Sequence, residues 1–290
     1  MTIQEERICA YLRQAVEQTD WQVYHPQQGF MFGKRFTCVS ARRKVFVKLD
    51  VDYRVVQHLS EIQLTPRYLA GGVFADTTIT VQEFVEGSHP DSRWYMANQR
   101  VVARLLKTLQ EQTALYRYLP AVESETYRDL LARYVQQARE LYQQQSALEQ
   151  ARRQEIDALF DLYEKRLPFI QGEGLVPTHG DPNPGNVLVA PETTYLVDWD
   201  RLHLSDPMHD IAQVLWWTYP RPTWSEALEL FQIDLSDDQQ RERFYLYLSV
   251  WALEVSLFFS GIQNEYFARR FLTDARRAYE QEPPVEHLVS

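Results

Sequence analysis

The chain has 290 residues, 45% of them hydrophobic and 24% charged, with a formal net charge of −10 at pH 7. This length accommodates two lobes with separate hydrophobic cores, and the composition is that of an ordinary globular protein. The negative charge argues against a nucleic-acid-binding surface. Two cysteines, Cys9 and Cys38, are too few for a disulfide framework or a cysteine metal cluster, so we expect a reduced, cytoplasmic protein.

The N-terminal part combines helical and strand-like patterns. Residues 3–19 are polar and periodic, which is typical of an amphipathic helix rather than a signal peptide. Five runs bounded by turn residues predict strands, and one further helix is inserted between the third and the fourth strand. The predicted strands are 21–24, 30–40, 44–49, 67–70 and 77–85, and the inserted helix is 52–60.

The pattern changes after Glu86-Gly87-Ser88-His89-Pro90, which we interpret as a hinge. The apolar run 245–262 is long enough to resemble a membrane span, but Glu254 at its centre and its polar flanks favour a helix buried in the protein. The expected fold class is therefore α+β, with a β-rich lobe 1–87 and a mainly helical lobe 88–290. The predicted helices of the second lobe are 93–118, 124–147, 148–166, 211–217, 224–233, 237–260 and 263–281.

A short segment of the second lobe carries the most informative motif. His179-Gly180-Asp181 is followed by Asn186, five residues after the aspartate, and by Asp198, twelve residues further on. Phosphoryl transfer from ATP uses a carboxylate that orients the hydroxyl nucleophile, together with an amide oxygen and a second carboxylate that hold magnesium. Asp181, Asn186 and Asp198 supply these groups in the order found in kinases. The motif therefore predicts a kinase-type active site, the alternatives being a solvated loop aspartate and a turn asparagine.

Three further residues accompany this motif. Asp200 lies two residues after Asp198, on the same side of an extended chain, so we expect it to support the metal site or to contact the substrate. His179 is expected to orient the loop through backbone hydrogen bonds rather than to transfer protons. Asp210 opens a predicted helix, where a structural carboxylate would cap the helix and brace the catalytic loop.

Lys48 lies within the apolar strand 44–49. A buried ammonium group needs a partner, and in a kinase such a lysine contacts the α- and β-phosphates of the nucleotide. The alternative is a lysine on an edge strand that points to solvent. Its expected partner is an acid on the following helix, for which Asp52 and Glu61 are the candidates and Asp52 is preferred.

Gly29 and Gly33 bracket a strand–turn–strand segment that could lie over the phosphates. Gly33, followed by Lys34-Arg35, would supply backbone N–H groups and positive charge. The spacing is not that of G-x-G-x-x-G, and an ordinary hairpin is an equally good interpretation.

The last predicted strand of the first lobe ends in Gln82-Glu83-Phe84-Val85-Glu86. From its position before the hinge, we expect the backbone of Glu83, Phe84 and Val85 to form hydrogen bonds with adenine. Backbone contacts do not constrain the side chains, so this expectation rests on position alone.

With these residues in view, the chain resembles the aminoglycoside phosphotransferase and choline kinase group of small-molecule kinases. The resemblance covers nearly the whole chain and is most specific at 179–186, at 196–200 and at Asp206–Asp210. It implies a protein-kinase-like fold, with a nucleotide-binding N-lobe 1–87 and a C-lobe 88–290 that carries the catalytic loop, the metal site and the acceptor pocket. It also implies phosphorylation of a small-molecule hydroxyl by ATP with Mg²⁺. Members usually have Glu where this chain has Asp52.

The family accepts aminoglycosides, choline, ethanolamine, thiamine and other alcohols, and fold alone does not choose among them. Aromatic faces beside a carboxylate suit a protonated or quaternary amine, although the same aromatics would also suit a helical core. The aromatic residues and acids near the expected pocket are Trp216, Trp217, Tyr219, Trp224, Trp251, Phe258, Phe259, Glu254 and Glu265.

The first hypothesis is thus an aminoglycoside-phosphotransferase-like kinase of unknown acceptor. The second is a choline, ethanolamine or thiamine kinase, and the third is a non-catalytic nucleotide-binding protein on a kinase fold. A protein substrate is not expected, because no Ala-Pro-Glu segment follows Asp198. The expected partner is a small-molecule hydroxyl acceptor, without nucleic acid or membrane, and the expected assembly is a monomer or dimer.

Overall fold

The computed structural model describes residues 2–16, 20–25, 34–120, 126–145 and 148–282. The chain forms two compact units, which we call unit 1 and unit 2. Unit 1 comprises Met1–His89, Ala114–Leu119 and Gly185–Arg201, and unit 2 comprises Pro90–Thr113, Pro120–Pro184 and Leu202–Ser290. The segment Gly185–Arg201, expected in the helical lobe, groups by its contacts with unit 1.

The first seven elements form an α+β arrangement in unit 1. They are α1 (Ile3–Ala15), β1 (Gln22–Tyr24), β2 (Arg35–Val39), β3 (Lys44–Leu49), α2 (Tyr53–Glu61), β4 (Tyr68–Phe74) and β5 (Thr77–Glu83). The strands pair antiparallel in the order β1-β2-β3-β5-β4. This sheet confirms the predicted β-rich first part, and it places β3 at the centre.

Alternation along the strands decides which side chains enter the core of unit 1. Val45 and Val47 of β3 and Phe36 of β2 pack in one buried cluster with Leu12 of α1. Since successive residues of a strand point to opposite faces, Lys48 and its cross-strand partner Arg35 lie on the face away from this cluster.

Strand β4 is longer than predicted. The sequence predicted a strand over 67–70, but the strand continues to Phe74 and the turn lies at Ala75-Asp76, with φ of 48° and 63°. Two adjacent positive φ values match a tight hairpin turn. Gly71 is instead required by a close approach, because a Cβ atom there would collide with Tyr53 of α2.

The remaining elements, in chain order, are mostly helices. They are α3 (Ser92–Ala97), α4 (Gln99–Gln110), α5 (Tyr127–Gln143), α6 (Gln150–Arg166), β6 (Val176–Thr178), β7 (Val187–Val189), β8 (Thr194–Leu196), β9 (His203–Ser205), α7 (Met208–Thr218), α8 (Trp224–Phe231), α9 (Asp238–Gly261) and α10 (Glu265–Tyr279). The predicted helix 93–118 is divided at Asn98, where the chain leaves helical geometry.

Helix α9 is the apolar helix recognised in the sequence. Its length and composition would suffice to cross a membrane, but 61% of its most apolar window is buried. Ser249 and Ser256 of α9 donate hydrogen bonds to the carbonyl oxygens of Ala275 and Ala268 of α10, both at 2.6 Å. The burial and these interhelical bonds are those of a core helix of a globular unit.

Candidate active site

The hairpin β7–β8 in unit 1 explains the twelve-residue spacing between Asn186 and Asp198. Val187 pairs with Leu196 in the antiparallel ladder, and the Val197 N–H donates to the carbonyl oxygen of Asn186 at 2.9 Å. Asn186 and Asp198 therefore lie at the same open end of the hairpin. An amide oxygen and a carboxylate are hard oxygen donors of the kind that Mg²⁺ prefers.

Asp198 has a backbone conformation that is unusual for a residue other than glycine. Its φ is 72°, in the left-handed region, which costs about 1–2 kcal/mol for a residue with a Cβ atom. The buried Trp199 that follows donates from Nε1 to Thr65 Oγ1 at 3.2 Å, and this contact fixes the chain next to Asp198. Such strain is typical of functional sites.

Two cations and two carboxylates form a compact charge cluster on the face of the sheet opposite the core. Lys48 Nζ lies 2.5 Å from Asp198 Oδ1 and 2.7 Å from Asp200 Oδ1. Arg35 Nη2 lies 2.5 Å from Asp198 Oδ2 and 3.7 Å from Asp200 Oδ2. We call Arg35, Lys48, Asp198 and Asp200 the charge cluster. Lys48 is buried and belongs to the central strand, so it is not a solvent-facing lysine on a sheet edge.

The electrostatics of the charge cluster keep Asp198 ionised. Burial by itself would raise the pKa of Asp198, but the positive charges of Lys48 and Arg35 and the hydrogen bond from Lys48 lower that pKa below its ordinary value. Asp198 is therefore a carboxylate at neutral pH and is able to bind a cation.

The expected ion pair between Lys48 and Asp52 is wrong. Asp52 is the N-cap of α2, and its carboxylate accepts from the backbone and the side chain of Arg54 at 2.9 Å and 2.6 Å. The hydrogen bond from the Arg54 side chain lowers the pKa of Asp52. Glu61 accepts from Gln57 on the same helix. The acids of α2 thus bind donors of their own helix, and Lys48 pairs with Asp198 and Asp200 instead.

The expected adenine-binding segment lies at the end of β5. The N–H groups of Glu83 and Phe84 donate to the carbonyl oxygens of Arg67 and Lys44 at 2.8 Å and 3.4 Å. An adenine contact at this segment would therefore use carbonyl oxygens or Val85. The proposed phosphate-loop residue Gly33 lies outside the described residues.

In unit 2, a buried carboxylate holds the loop that follows β6. The backbone N–H groups of His179 and Gly180 donate to Asp210 Oδ2 and Oδ1 at 2.7 Å and 2.9 Å. Gly180 has a φ of 80°, which suits glycine at this bend. Burial alone would raise the pKa of Asp210, but the hydrogen bond and charge of His209 and the Gly180 N–H lower it overall.

Asp210 does not cap α7, contrary to expectation. The helix starts at Met208, so Asp210 lies inside its first turn, and the Met208 N–H donates to Asp206 Oδ1 at 2.9 Å. Asp210 is thereby directed to the preceding loop. Asp181 follows Gly180 in that loop, and its Oδ1 accepts from Asn183 Nδ2 at 2.8 Å. A half-buried carboxylate in a braced loop is suited to accept a hydrogen bond from a hydroxyl group.

Most of the aromatic residues expected near the acceptor belong to the core of unit 2. Trp216 is fully buried and contacts the rings of Trp217, Trp224 and Tyr245, so its candidacy as a substrate contact is wrong. The sequence from Ile211 to Trp217 is apolar except for Gln213, and this pattern did not distinguish a pocket from a core.

Trp251 and Glu254 of α9 are only partly buried. The pKa of Tyr134 is raised first by burial and then by the negative charges of Glu254 and Asp210, so both carboxylates lie within electrostatic reach of this hydroxyl. Glu265, by contrast, is engaged by Arg152 Nη1 at 3.3 Å. Glu254 is therefore a partly exposed acid within electrostatic reach of Tyr134, as Asp210 is.

The chain is similar to one family model and to several solved structures. The model of the phosphotransferase enzyme family (APH) matches residues 17–245. The choline kinase LicA from Streptococcus pneumoniae is similar over 97% of this chain and 100% of its own, with a TM-score of 0.70 and 16% identity. No curated protein sequence matches the chain.

Two antibiotic kinases are similar to the same extent. A thermostable mutant of the aminoglycoside phosphotransferase APH(4)-Ia covers 94% of this chain and 98% of its own, with a TM-score of 0.71 and 14% identity. The spectinomycin phosphotransferase APH(9)-Ia covers 95% of this chain and 98% of its own, with a TM-score of 0.68 and 16% identity. At these identities the likeness shows a shared fold, and it confirms the predicted protein-kinase-like class.

Proposed function

Because the chain belongs to the phosphotransferase enzyme family, we propose that it transfers the γ-phosphoryl group of ATP to a hydroxyl group of a small molecule in the presence of Mg²⁺. The observation that carries the proposal is the charge cluster, in which Lys48 and an ionised Asp198 stand at the open end of the hairpin that also presents Asn186. This is the set of groups that a kinase needs at its triphosphate.

The residues present fit a magnesium ion that is shared with the nucleotide. Asn186 and Asp198 would hold it, and phosphate oxygens and water would complete its coordination. Among the described residues, no group of three or more His, Cys, Asp or Glu side chains could hold a metal by itself, which suits a metal that enters with its nucleotide. When bound, Mg²⁺ neutralises charge on the transferred phosphoryl group.

Lys48 would bind the α- and β-phosphates. Its buried ammonium group contacts the anionic oxygens of two carboxylates, and phosphate oxygens are anionic acceptors of the same kind. Nucleotide binding is supported by the related structures, since LicA is known with AMP, APH(4)-Ia with AMP-PNP and APH(9)-Ia with ADP. In these proteins the same fold binds adenine nucleotides.

The carboxylate of Asp181 would orient the acceptor. The acceptor oxygen attacks the γ-phosphorus, the bond to the β-phosphate oxygen breaks, ADP leaves with that electron pair, and the hydroxyl proton passes to the carboxylate of Asp181. Asp210 holds the loop through the His179 and Gly180 N–H groups, so that the carboxylate of Asp181 keeps its position. Most of the rate enhancement in such a site comes from positioning.

The acceptor is placed first in the broad class of small-molecule alcohols that includes the aminoglycosides. A second candidate, choline, ethanolamine or thiamine, is favoured by Trp251 and Glu254. They lie three residues apart on α9, hence on the same face of the helix. An aromatic face beside a carboxylate would bind a cationic amine.

We also propose that the enzyme acts in the cytoplasm as a monomer or dimer. Its partner would be a small-molecule acceptor, without nucleic acid or membrane. Cys9 and Cys38 are buried free thiols, as expected in a reducing compartment. Burial raises the pKa of Cys38 to about 12, which makes this thiol unreactive.

The test is Mg²⁺-dependent ADP release, measured by a coupled assay with kanamycin, streptomycin, spectinomycin, choline, ethanolamine, thiamine, homoserine and methylthioribose. One compound should stimulate turnover, and Asp181→Asn should reduce the stimulated rate about a thousandfold. Asp161→Asn, an identical change at an exposed position of α6, should have no effect. ATP binding with the same turnover in wild type and Asp181→Asn throughout would favour the non-catalytic alternative.

A further inference from the structure

Arg35 lies directly opposite Lys48 in the ladder between β2 and β3. Like charges in this position destabilise a sheet, and here Asp198 and Asp200 compensate both cations. The two oxygens of Asp198 are divided between them, with Oδ1 bonded to Lys48 and Oδ2 bonded to Arg35. The carboxylate proposed to bind the metal is thus fully engaged by protein cations.

The two cations differ in how firmly they are held. The Lys48 side chain is 8% exposed and bonds both carboxylates at short distance, whereas the Arg35 side chain is 26% exposed and lies 3.7 Å from Asp200. The Arg35 Nε is buried and has no hydrogen-bond partner within the described part of the chain. Because Arg35 is more exposed and has one short carboxylate contact where Lys48 has two, it is the cation that a metal ion displaces more easily.

We propose that Arg35 is a phosphate-binding residue that exchanges the Asp198 carboxylate for the nucleotide phosphates when the metal binds Asp198. This inference rests on the proposed function. A guanidinium group binds phosphate with two parallel hydrogen bonds. The sequence before β2 lacks the G-x-G-x-x-G pattern, and a side-chain cation on the strand would supply phosphate contacts of its own.

The exchange predicts opposite effects on two affinities when Arg35 is replaced. Arg35→Gln should weaken binding of a non-hydrolysable ATP analogue with Mg²⁺ about tenfold to a hundredfold, measured by calorimetry. The same variant should bind Mn²⁺ more tightly without nucleotide, measured by electron paramagnetic resonance, because a competing cation has left Asp198. Arg35→Lys keeps the charge but not the bidentate hydrogen-bonding geometry, so both of its affinities should lie between those of wild type and Arg35→Gln.

The matched control is Arg43→Gln, the same change at an exposed position beyond the far end of β2, which should equal wild type in both assays. A merely structural role of Arg35 would lower the melting temperature without moving the two affinities in opposite directions. Equal binding of the ATP analogue by wild type and Arg35→Gln overturns the inference alone. Failure of the wild type to bind the analogue with Mg²⁺ overturns the proposed function and this inference together.

Discussion

Replacing Asp210 by asparagine tests the connection between a buried carboxylate and the catalytic loop. In the wild type the two oxygens of Asp210 accept the N–H groups of His179 and Gly180. An asparagine of the same shape has one oxygen and one NH₂ group, so a donor faces a donor at one of the two positions.

The expected loss of stability follows from these two bonds. One buried N–H is left without an acceptor, which costs about 1–3 kcal/mol. The other bond loses its charge, which costs about 1 kcal/mol more. The free energy of unfolding should therefore fall by about 2–4 kcal/mol, and the melting temperature by about 5–15 °C. Because the displaced loop carries Asp181, kcat should fall about a hundredfold.

Urea unfolding and the coupled kinase assay measure both effects. Tyr163→Phe is the control, because it removes a buried hydroxyl bonded to Ser249 Oγ at 2.8 Å, between α6 and α9 of the same unit. This control should lose about 1 kcal/mol and leave kcat unchanged. The argument would be refuted by an Asp210→Asn variant with wild-type unfolding and a kcat within twofold of wild type.

The pH dependence of the same variant provides an independent check. The pKa of Asp210 is lowered in the folded protein, so its contribution is fully present above the unfolded value of about 3.9 and is lost as the pH falls through the lower folded value. The stability difference between wild type and Asp210→Asn should narrow as the pH falls below about 4. A difference that grows as the pH falls below about 4 would contradict this assignment.

Three other substitutions have definite expected outcomes. Asp52→Ala should lower the free energy of unfolding by about 1 kcal/mol through loss of the helix cap and leave ATP affinity unchanged. A large loss of ATP affinity in calorimetry would show that Asp52 contributes to nucleotide binding. Lys48→Met should lower ATP affinity about tenfold or more, and unchanged binding would remove Lys48 from the phosphate site. Glu254→Gln should raise the KM of a cationic acceptor without changing the KM of ATP, whereas equal effects on both would exclude a specific acceptor contact.

The sequence predicts the fold well because the periodicity of its elements is strong. The alternation of apolar residues in β3 and their helical spacing after the hinge are local features of the sequence, and they predict secondary structure directly. The proximity of Asn186 and Asp198 could also be predicted from the sequence, because a short hairpin brings its first and last residues close together.

Other features could not be predicted, because a side chain has several possible partners or environments of the same kind. Asp52 has the type and spacing to reach Lys48, but a helix N-cap offers it nearer donors. The place of Arg35 opposite Lys48 depends on the register of β2 against β3, which residue types alone do not fix. Trp216 shows the same limit for burial, because one aromatic side chain serves a core and a pocket equally well.

The pairing of α9 with α10 has a consequence for how the protein is made. On the ribosome α9 emerges first, as an apolar segment long enough to resemble a membrane span, and its serine hydroxyls acquire their partners on α10 only later. A nascent chain interrupted before Glu265 would expose apolar surface of that segment and would be prone to aggregation or to binding by chaperones. Helix α10 therefore supplies hydrogen-bond acceptors to α9 and covers apolar surface that an interrupted chain would expose.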